Sequence, residues 1–256
     1  MSDFKSVIEQ NQYYVDKTMF LPELEKQPNN LFFIRPRRFG KSIFLSMLYS
    51  YYDCKQKDCF ETLFGNLWIG SHPTPLQGKY QVLFLDFSQI TGKIDVLEER
   101  FNAYMSINLD AFMRRYAQYY KEEKEEILSK TEYADKIEIL FKAAKSHGYA
   151  LYLIIDEYDN FTNVVLNEHG ESVYHAITHA DGFYRDVFKK FKGNFERIFM
   201  MGVSPVTLDD VTSGYNVGWN ISVKPEFNEM LGFSTKDVVE MFTYYKQREA
   251  FLPTAT

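Results

Sequence analysis

The stretch "LFFIRPRRFGKSIFLSML" occupies residues 31–48 of a 256-residue chain. The apolar run 31–34 is long enough for a short buried strand, and Gly40-Lys41-Ser42 opens an apolar helix over 42–52. A strand, a loop ending in Gly-Lys-Ser and a helix make the plan of a phosphate-binding loop. At such a helix start the backbone N–H groups face outward and the helix dipole adds partial positive charge. Gly40 lets the backbone approach an oxygen closely, Lys41 reaches the outer phosphates, and the Ser42 hydroxyl is a ligand for Mg2+. Phe39 and Ile43 flank these three and complete the segment expected to surround the phosphates. The G-x-x-x-x-G-K-[ST] pattern is nevertheless broken. Arg35 stands where the first glycine belongs, and Pro36 has no N–H to offer. Arg35, Arg37 and Arg38 stand where that lost positive potential can be made up. The residues leave open whether these arginines meet a nucleotide, a partner subunit or a nucleic acid.

A Gly-Lys-[Ser/Thr] triplet arises by chance in roughly one chain in ten of this length, so a second feature must decide. "YALYLIIDEYDN" (149–160) is an apolar strand that ends in acids. In P-loop ATPases an acid at such a strand end, here Asp156, holds the Mg2+ shell. The next residue, Glu157, is placed to take a proton from an attacking water. Taken alone, two acids after a strand serve equally well to cap a turn.

Further strands are expected at "QVLFLDFS" (81–88), "RIFMMGVS" (197–204) and "GWNISV" (218–223). Helices are expected over 94–128, 132–146, 171–192 and 234–247; "KEEKEE" is the solvated end of the first, and Ser234 caps the last. Strands apolar on both faces and separated by helices predict a mostly parallel sheet in a three-layer α/β/α fold. Ligands of such sheets bind beyond the carboxyl ends of the strands. "RPRRFGKS" and "DEYDN" therefore share one rim. A phosphate loop and a distant acid-ended strand, with another strand between them, resemble the layout of the ASCE group of P-loop NTPases. Ser204, at the end of "RIFMMGVS", suits a polar sensor of the γ-phosphate, or equally a turn before Pro205. No N-K-x-D guanine signature is present, so ATP is preferred to GTP.

Composition bounds the rest. With 45% hydrophobic and 25% charged residues the chain is globular and not disordered. Its 29 Lys+Arg against 35 Asp+Glu exclude coating by nucleic acid through overall charge, although "RPRR" remains a local basic patch. No apolar run approaches a membrane span, and "MSDFKSVIEQNQYY" lacks a signal-peptide core, so a cytoplasmic bacterial protein is expected. Cys54 and Cys59 lack two further ligands at zinc spacing and are expected to be reduced thiols at a helix end.

"YYVDKT" (13–18), "FIRPRRFGKS" (33–42), "VLFLDFS" (82–88), "LIIDEYDN" (153–160), "MGVSPVT" (201–207) and "LGFSTKDV" (231–238) together resemble the bacterial AAA-ATPase-like family. The resemblance runs from about residue 4 to about residue 245, and the family's own loop is arginine-rich without the first glycine. It implies an AAA-like core over 1–230 that binds and hydrolyses ATP with Mg2+. It also implies a helical lid starting within 231–256 and cut short at Thr256. Tyr14, Val15 and Asp16 would then line an adenine pocket, unless that segment simply packs on the sheet edge. Family members usually continue into a PD-(D/E)XK nuclease-like domain, and residues 1–256 offer no credible PD…(D/E)xK constellation. A nuclease partner, defence against foreign DNA and self-association follow as implied roles, with a weakly hydrolysing, nucleotide-gated regulatory module as the alternative to an ATPase proper. The family usually has an arginine after the sensor serine, where this chain has Pro205. Arg185 and Arg197 are candidate trans-acting arginines by residue type alone.

Overall fold

The structure, a computed structural model, describes residues 3–179, 182–204 and 218–249. Pro205 and residues 250–256 lie outside the described residues. Five strands form one sheet: β1 (Asn30–Ile34), β2 (Gln81–Asp86), β3 (Leu151–Asp156), β4 (Arg197–Gly202) and β5 (Trp219–Asn220). Their order is β2-β3-β4-β1-β5 and every pairing is parallel. The parallel α/β expectation holds. β4 is the strand that lies between the loop strand β1 and the acid strand β3.

Alternation along the strands builds the three layers. In β3, Leu151, Leu153 and Ile155 enter one core, and Tyr152 and Ile154 enter the other. The second core is closed by helices α1 (Phe4–Glu9), α2 (Leu21–Glu25), α3 (Lys41–Tyr52) and α4 (Phe60–Phe64). The first is closed by α5 (Leu97–Arg115), α6 (Lys124–Ser129), α7 (Tyr133–His147), α8 (Asn160–His169), α9 (Glu171–Thr178) and α10 (Phe183–Phe191). Among the described residues no helix is long and apolar enough to cross a membrane.

Two of the expected helices are broken, each for a packing reason. The helix expected over 94–128 ends at Arg115 and resumes at Lys124. Between them the chain turns so that Tyr116 and Tyr120, both fully buried, plant their hydroxyls on the sheet edge. Tyr116 Oη accepts from Val82 N at 2.9 Å and donates to Asp53 Oδ1 at 2.8 Å, and Tyr120 Oη donates to Gln81 Oε1 at 2.5 Å. Asp53, wholly buried, also accepts from Lys55 N and from the Arg115 guanidinium. The helix expected over 171–192 divides into α9 and α10. A Cβ at Gly182 would fall 2.4 Å from the Ile177 carbonyl, so the second helix starts tight against the end of the first. The fifth strand is only Trp219–Asn220, not 218–223. The cysteines are free, and burial pushes the Cys54 thiol up.

After β5 the chain runs back over the second core, burying Phe227, Met230 and Leu231, and enters α11 (Thr235–Glu249). Lys17 Nζ and Asp237 Oδ2 meet at 2.9 Å with both side chains mostly buried, tying α11 to the N-terminal segment. Tyr13 packs against Tyr244 with ring centroids 4.9 Å apart. Burial alone would raise Asp237, but Lys17 and the Ser234 capping contacts outweigh it and hold the carboxyl below its usual range.

Tyr116→Phe keeps the shape but leaves Val82 N–H and Asp53 short of a partner, so it should cost about 2 kcal/mol in urea unfolding with no change in m-value. A carboxyl with a depressed folded pKa stabilises above its unfolded pKa, and the contribution disappears as pH falls through the folded value. Asp237→Asn should therefore cost about 1 kcal/mol at neutral pH. Its thermal unfolding should converge with the parent as pH drops below the unfolded value of 3.8.

Candidate functional site

Three sequence segments meet at the carboxyl rim of the sheet. The first is the loop between β1 and α3. Gly40 caps α3 in the left-handed region at φ +84°, and Arg38 shares that region at φ +68°, a conformation non-glycine residues seldom adopt. Lys41 is buried, and its ammonium donates to the carbonyls of Arg35 at 3.1 Å and Pro36 at 3.0 Å. Burial lowers the Lys41 pKa, while Asp156, Glu157 and Asp159 oppose that shift.

The second segment is the end of β3. Ser42 Oγ donates to Asp156 Oδ2 at 2.6 Å, across 114 residues of sequence. Asp156 is buried and its pKa is raised, by burial first and also by the neighbouring Asp86. Sheet register puts Asp86 level with Asp156 as the last residues of adjacent strands. Glu157 is half-buried with its backbone at φ +50°. Burial and then the Asp156 charge raise its pKa, with Lys41 and Arg37 acting against them. Its carboxylate takes no hydrogen bond among the described residues.

The third segment is the end of β4. Asp159, almost wholly buried, accepts from Val203 N at 3.0 Å and Ser204 N at 2.5 Å. Tyr158 Oη donates to Ser204 O at 2.6 Å, and Tyr158 N donates to Met201 O at 3.2 Å. The buried Tyr184 hydroxyl in turn holds the Tyr158 carbonyl. This close approach requires Gly202: a Cβ there would lie 2.5 Å from the Tyr158 ring and 2.6 Å from Asp159 Oδ1. Tyr158 and Asp159 thus fix the backbone of Ser204 just past the end of β4. Their role is not legible from the string "DEYDN", because both partners sit on a strand 40 residues further on; an acid followed at a distance by a strand-end glycine is the only trace in the sequence.

The remaining candidate residues fall in different places. Arg35 leaves the loop for the sheet edge, where its guanidinium donates to Ile34 O and Ser222 O and lies 4.1 Å from the Phe33 ring centroid. Pro36, Arg37, Arg38 and Phe39 are exposed, and Arg37 and Arg38 form no hydrogen bond or ion pair among the described residues. Phe39, Gly40 and Ile43 line a cavity of about 540 Å3 with Tyr14, Leu231 and Tyr245. Val15 borders the same cavity. Asp16 does not: its oxygens cap Thr18 N at 2.8 Å and Trp68 N at 2.6 Å. Gly232 N donates to Phe39 O at 3.0 Å, so the C-terminal segment touches the loop directly. Arg197 lies at the opposite end of β4, buried, bonded to Glu25 O.

A family model described as "Predicted AAA-ATPase" matches residues 1–212. An uncharacterized protein from the vnfD 5′ region of Azotobacter chroococcum mcd 1 is 26% identical over 239 residues, which is 90% of this chain. The chain spans 41% of that relative's length. No solved structure matches. With a phosphate-loop geometry, an acid-ended strand two places away and a family match over most of its length, the chain belongs to the AAA-ATPase-like family.

Proposed function

We propose that the chain binds ATP with Mg2+ and hydrolyses it at this rim. The observation that carries the reading is the Ser42–Asp156 hydrogen bond of 2.6 Å beside the buried Lys41. It brings together a loop hydroxyl, a strand-end carboxylate and an ammonium from positions remote in sequence. The donor set fits Mg2+: both groups offer hard oxygens. Asp156 is also raised by burial, a penalty that a bound dication relieves. Ser42 and Asp156 would hold the metal, which would supply charge neutralisation at the phosphates.

The chain's own groups do the rest. Lys41 and the N–H groups at the start of α3 bind the phosphates, and exposed Arg37 and Arg38 add positive potential at the loop mouth. Glu157, whose carboxylate takes no hydrogen bond among the described residues and whose pKa is raised by burial and by Asp156, accepts the proton of the attacking water. Ser204 is held by Asp159 and Tyr158 where it can contact the γ-phosphate. The apolar cavity beside Tyr14 and Phe39 has the size of a ligand pocket and takes the adenine.

One contact favours a second reading, a nucleotide-gated regulatory module. The C-terminal segment, in the position of a lid, bonds the phosphate loop through Gly232 N and Phe39 O. A change in the loop on nucleotide binding would therefore reach α11. A nuclease-like partner, acting on foreign DNA, is the addressee that the family resemblance implies.

Lys41→Ala should abolish nucleotide binding in equilibrium titration. Glu157→Gln should keep binding and lower kcat by about 100-fold or more; hydrolysis at the parental rate would sink the assignment. Because the Glu157 pKa is raised, turnover should be full above that pKa and fall as pH drops through it, with the limb lying above the 4.5 of an ordinary glutamate. Gly232→Ala, at φ +80° and with its Cβ 3.1 Å from the Phe39 ring, should loosen the segment from the loop and weaken ATP binding about ten-fold. Unchanged affinity would argue against gating.

A further inference from the structure

A second cavity, of about 590 Å3, lies between α3, the outer edge of β2 and α5. It starts at Asp86 and Asp156 on the phosphate rim and runs down α3 past Ser46 to Tyr49, a distance of about 10 Å along the helix. Nothing in the nucleotide reading uses it below Ser42.

Its charge is one-sided. Asp3, Asp86 and Asp156 all line it. Among the described residues Asp3 and Asp86 accept only neutral donors, from Ser6, Ser46, Ser88 and Gln89. The cation in the wall, Arg115, is bound through Nε and Nη2 to the wholly buried Asp53, which cancels its charge locally. Lys41 is near Asp156, but its ammonium is turned to the loop carbonyls. Tyr49, Phe84, Tyr104 and Phe112 contribute rings to the rest of the wall, with Val82, Leu83 and Asn108 between them. Asp86 and Asp156 at the rim, Asp3 one turn down beside Ser46, and aromatic side chains along the length favour a positive head on an apolar body.

The edge strand also limits the size of the occupant. β2 is the last strand of the sheet, so its outer peptide groups are open to pairing. Yet Val82 N–H is taken by Tyr116 Oη at 2.9 Å and Asp86 N–H by Tyr104 Oη at 2.7 Å. Ladder alternation leaves the Phe84 peptide as the outward group between them. Strand addition needs successive free pairs, and two tyrosines interrupt them. A small molecule fits where a peptide strand does not.

We propose that this cavity binds a small organic cation, an ammonium group on an aromatic or aliphatic body about 10 Å long. The charge sits at Asp86 and the body lies against Tyr49 and Phe112. Since Asp156 and Ser42 border both this cavity and the proposed metal position, the cation and Mg2+ oppose each other, and the opposition is reciprocal. Binding of the cation does not depend on hydrolysis and is measurable without nucleotide.

The test is calorimetric titration of the full nucleotide-free chain with phenylbutylammonium and, at matched length and opposite charge, phenylbutyrate. The ammonium probe should bind at least about ten-fold tighter than the carboxylate, and saturating Mg2+ should weaken it. Ala111→Trp fills the mouth from an exposed position on α5 and should abolish binding. Asp86→Asn retains an acceptor for Ser88 and should weaken the ammonium probe about ten-fold. Equal affinity for the two probes, or no heat from the ammonium probe up to about 10 mM, overturns the proposal. So does full binding by an Ala111→Trp variant that melts like the parent. If that variant does not fold, Asp86→Asn decides: undiminished binding there overturns the placement of the charge and with it the proposal, whereas indifference to Mg2+ beside weakened binding by Asp86→Asn overturns the metal position proposed above, on which the opposition alone rests.

Discussion

The 2.6 Å hydrogen bond from Ser42 Oγ to Asp156 Oδ2 spans a gap that the sheet itself creates. β1 and β3 are not neighbours; β4 separates them, which sets their backbones about 10 Å apart. The first turn of α3 must therefore lean across the end of β4 for the serine to meet the acid. The exit of β4 beneath that crossing is closely packed and tied down. Gly202, level with Ile34 at the end of β1, supplies the first condition, since a side chain there would strike Tyr158 and Asp159. Asp159 supplies the second by accepting the N–H groups of Val203 and Ser204. Ser42 with Asp156, and Asp159 with Val203 and Ser204, thus tie the ends of the three strands by contacts remote in sequence.

The arginine-rich loop solves a backbone problem before it solves an electrostatic one. β5 pairs with β1 over two residues only, so the upper edge of β1 lacks a ladder partner. Ser222 Oγ takes the Ile34 N–H, and Arg35 bridges the Ile34 and Ser222 carbonyls, finishing the edge with side chains. Pro36 gives no N–H, but its carbonyl, with that of Arg35, receives the Lys41 ammonium. The positive charge at the loop mouth is then left to Arg37 and Arg38. Of the three arginines, one is structural and two face outward.

Electrostatics at the rim follow from register. A one-residue slip of β2 against β3 would turn Asp86 to the other face. In the observed register Asp86 and Asp156 end level, and burial of Asp156 together with their mutual repulsion raises it. The same pairing places both carboxylates at the rim end of the cavity along α3. On the other side of the loop, the contact of Gly232 with Phe39 joins the apolar cavity to the C-terminal segment. Both cavities reach the phosphate loop, from opposite faces of α3.

The amino-acid sequence alone determined the chemistry and the layers. The apolar runs of β1 to β4 and the helices between them dictate a covered parallel sheet, because strands buried on both faces must be apolar throughout. Residue types at the strand ends, Gly40-Lys41-Ser42 and Asp156-Glu157, state which chemistry the rim can support. Three-dimensional packing decided the rest. The breaks at Tyr116 and Gly182 answer to the sheet edge and to the preceding helix, contacts that no local periodicity records. Asp16 and Arg35 look like ligand residues in a string of letters, and the fold bonds them to Trp68 and Ser222, remote partners that only folding brings near. Asp159 looks like a spare acid and instead holds β4. Local sequence carries propensity and chemistry; the partner of a buried polar group is set by strand order and register, which are long-range properties of the fold.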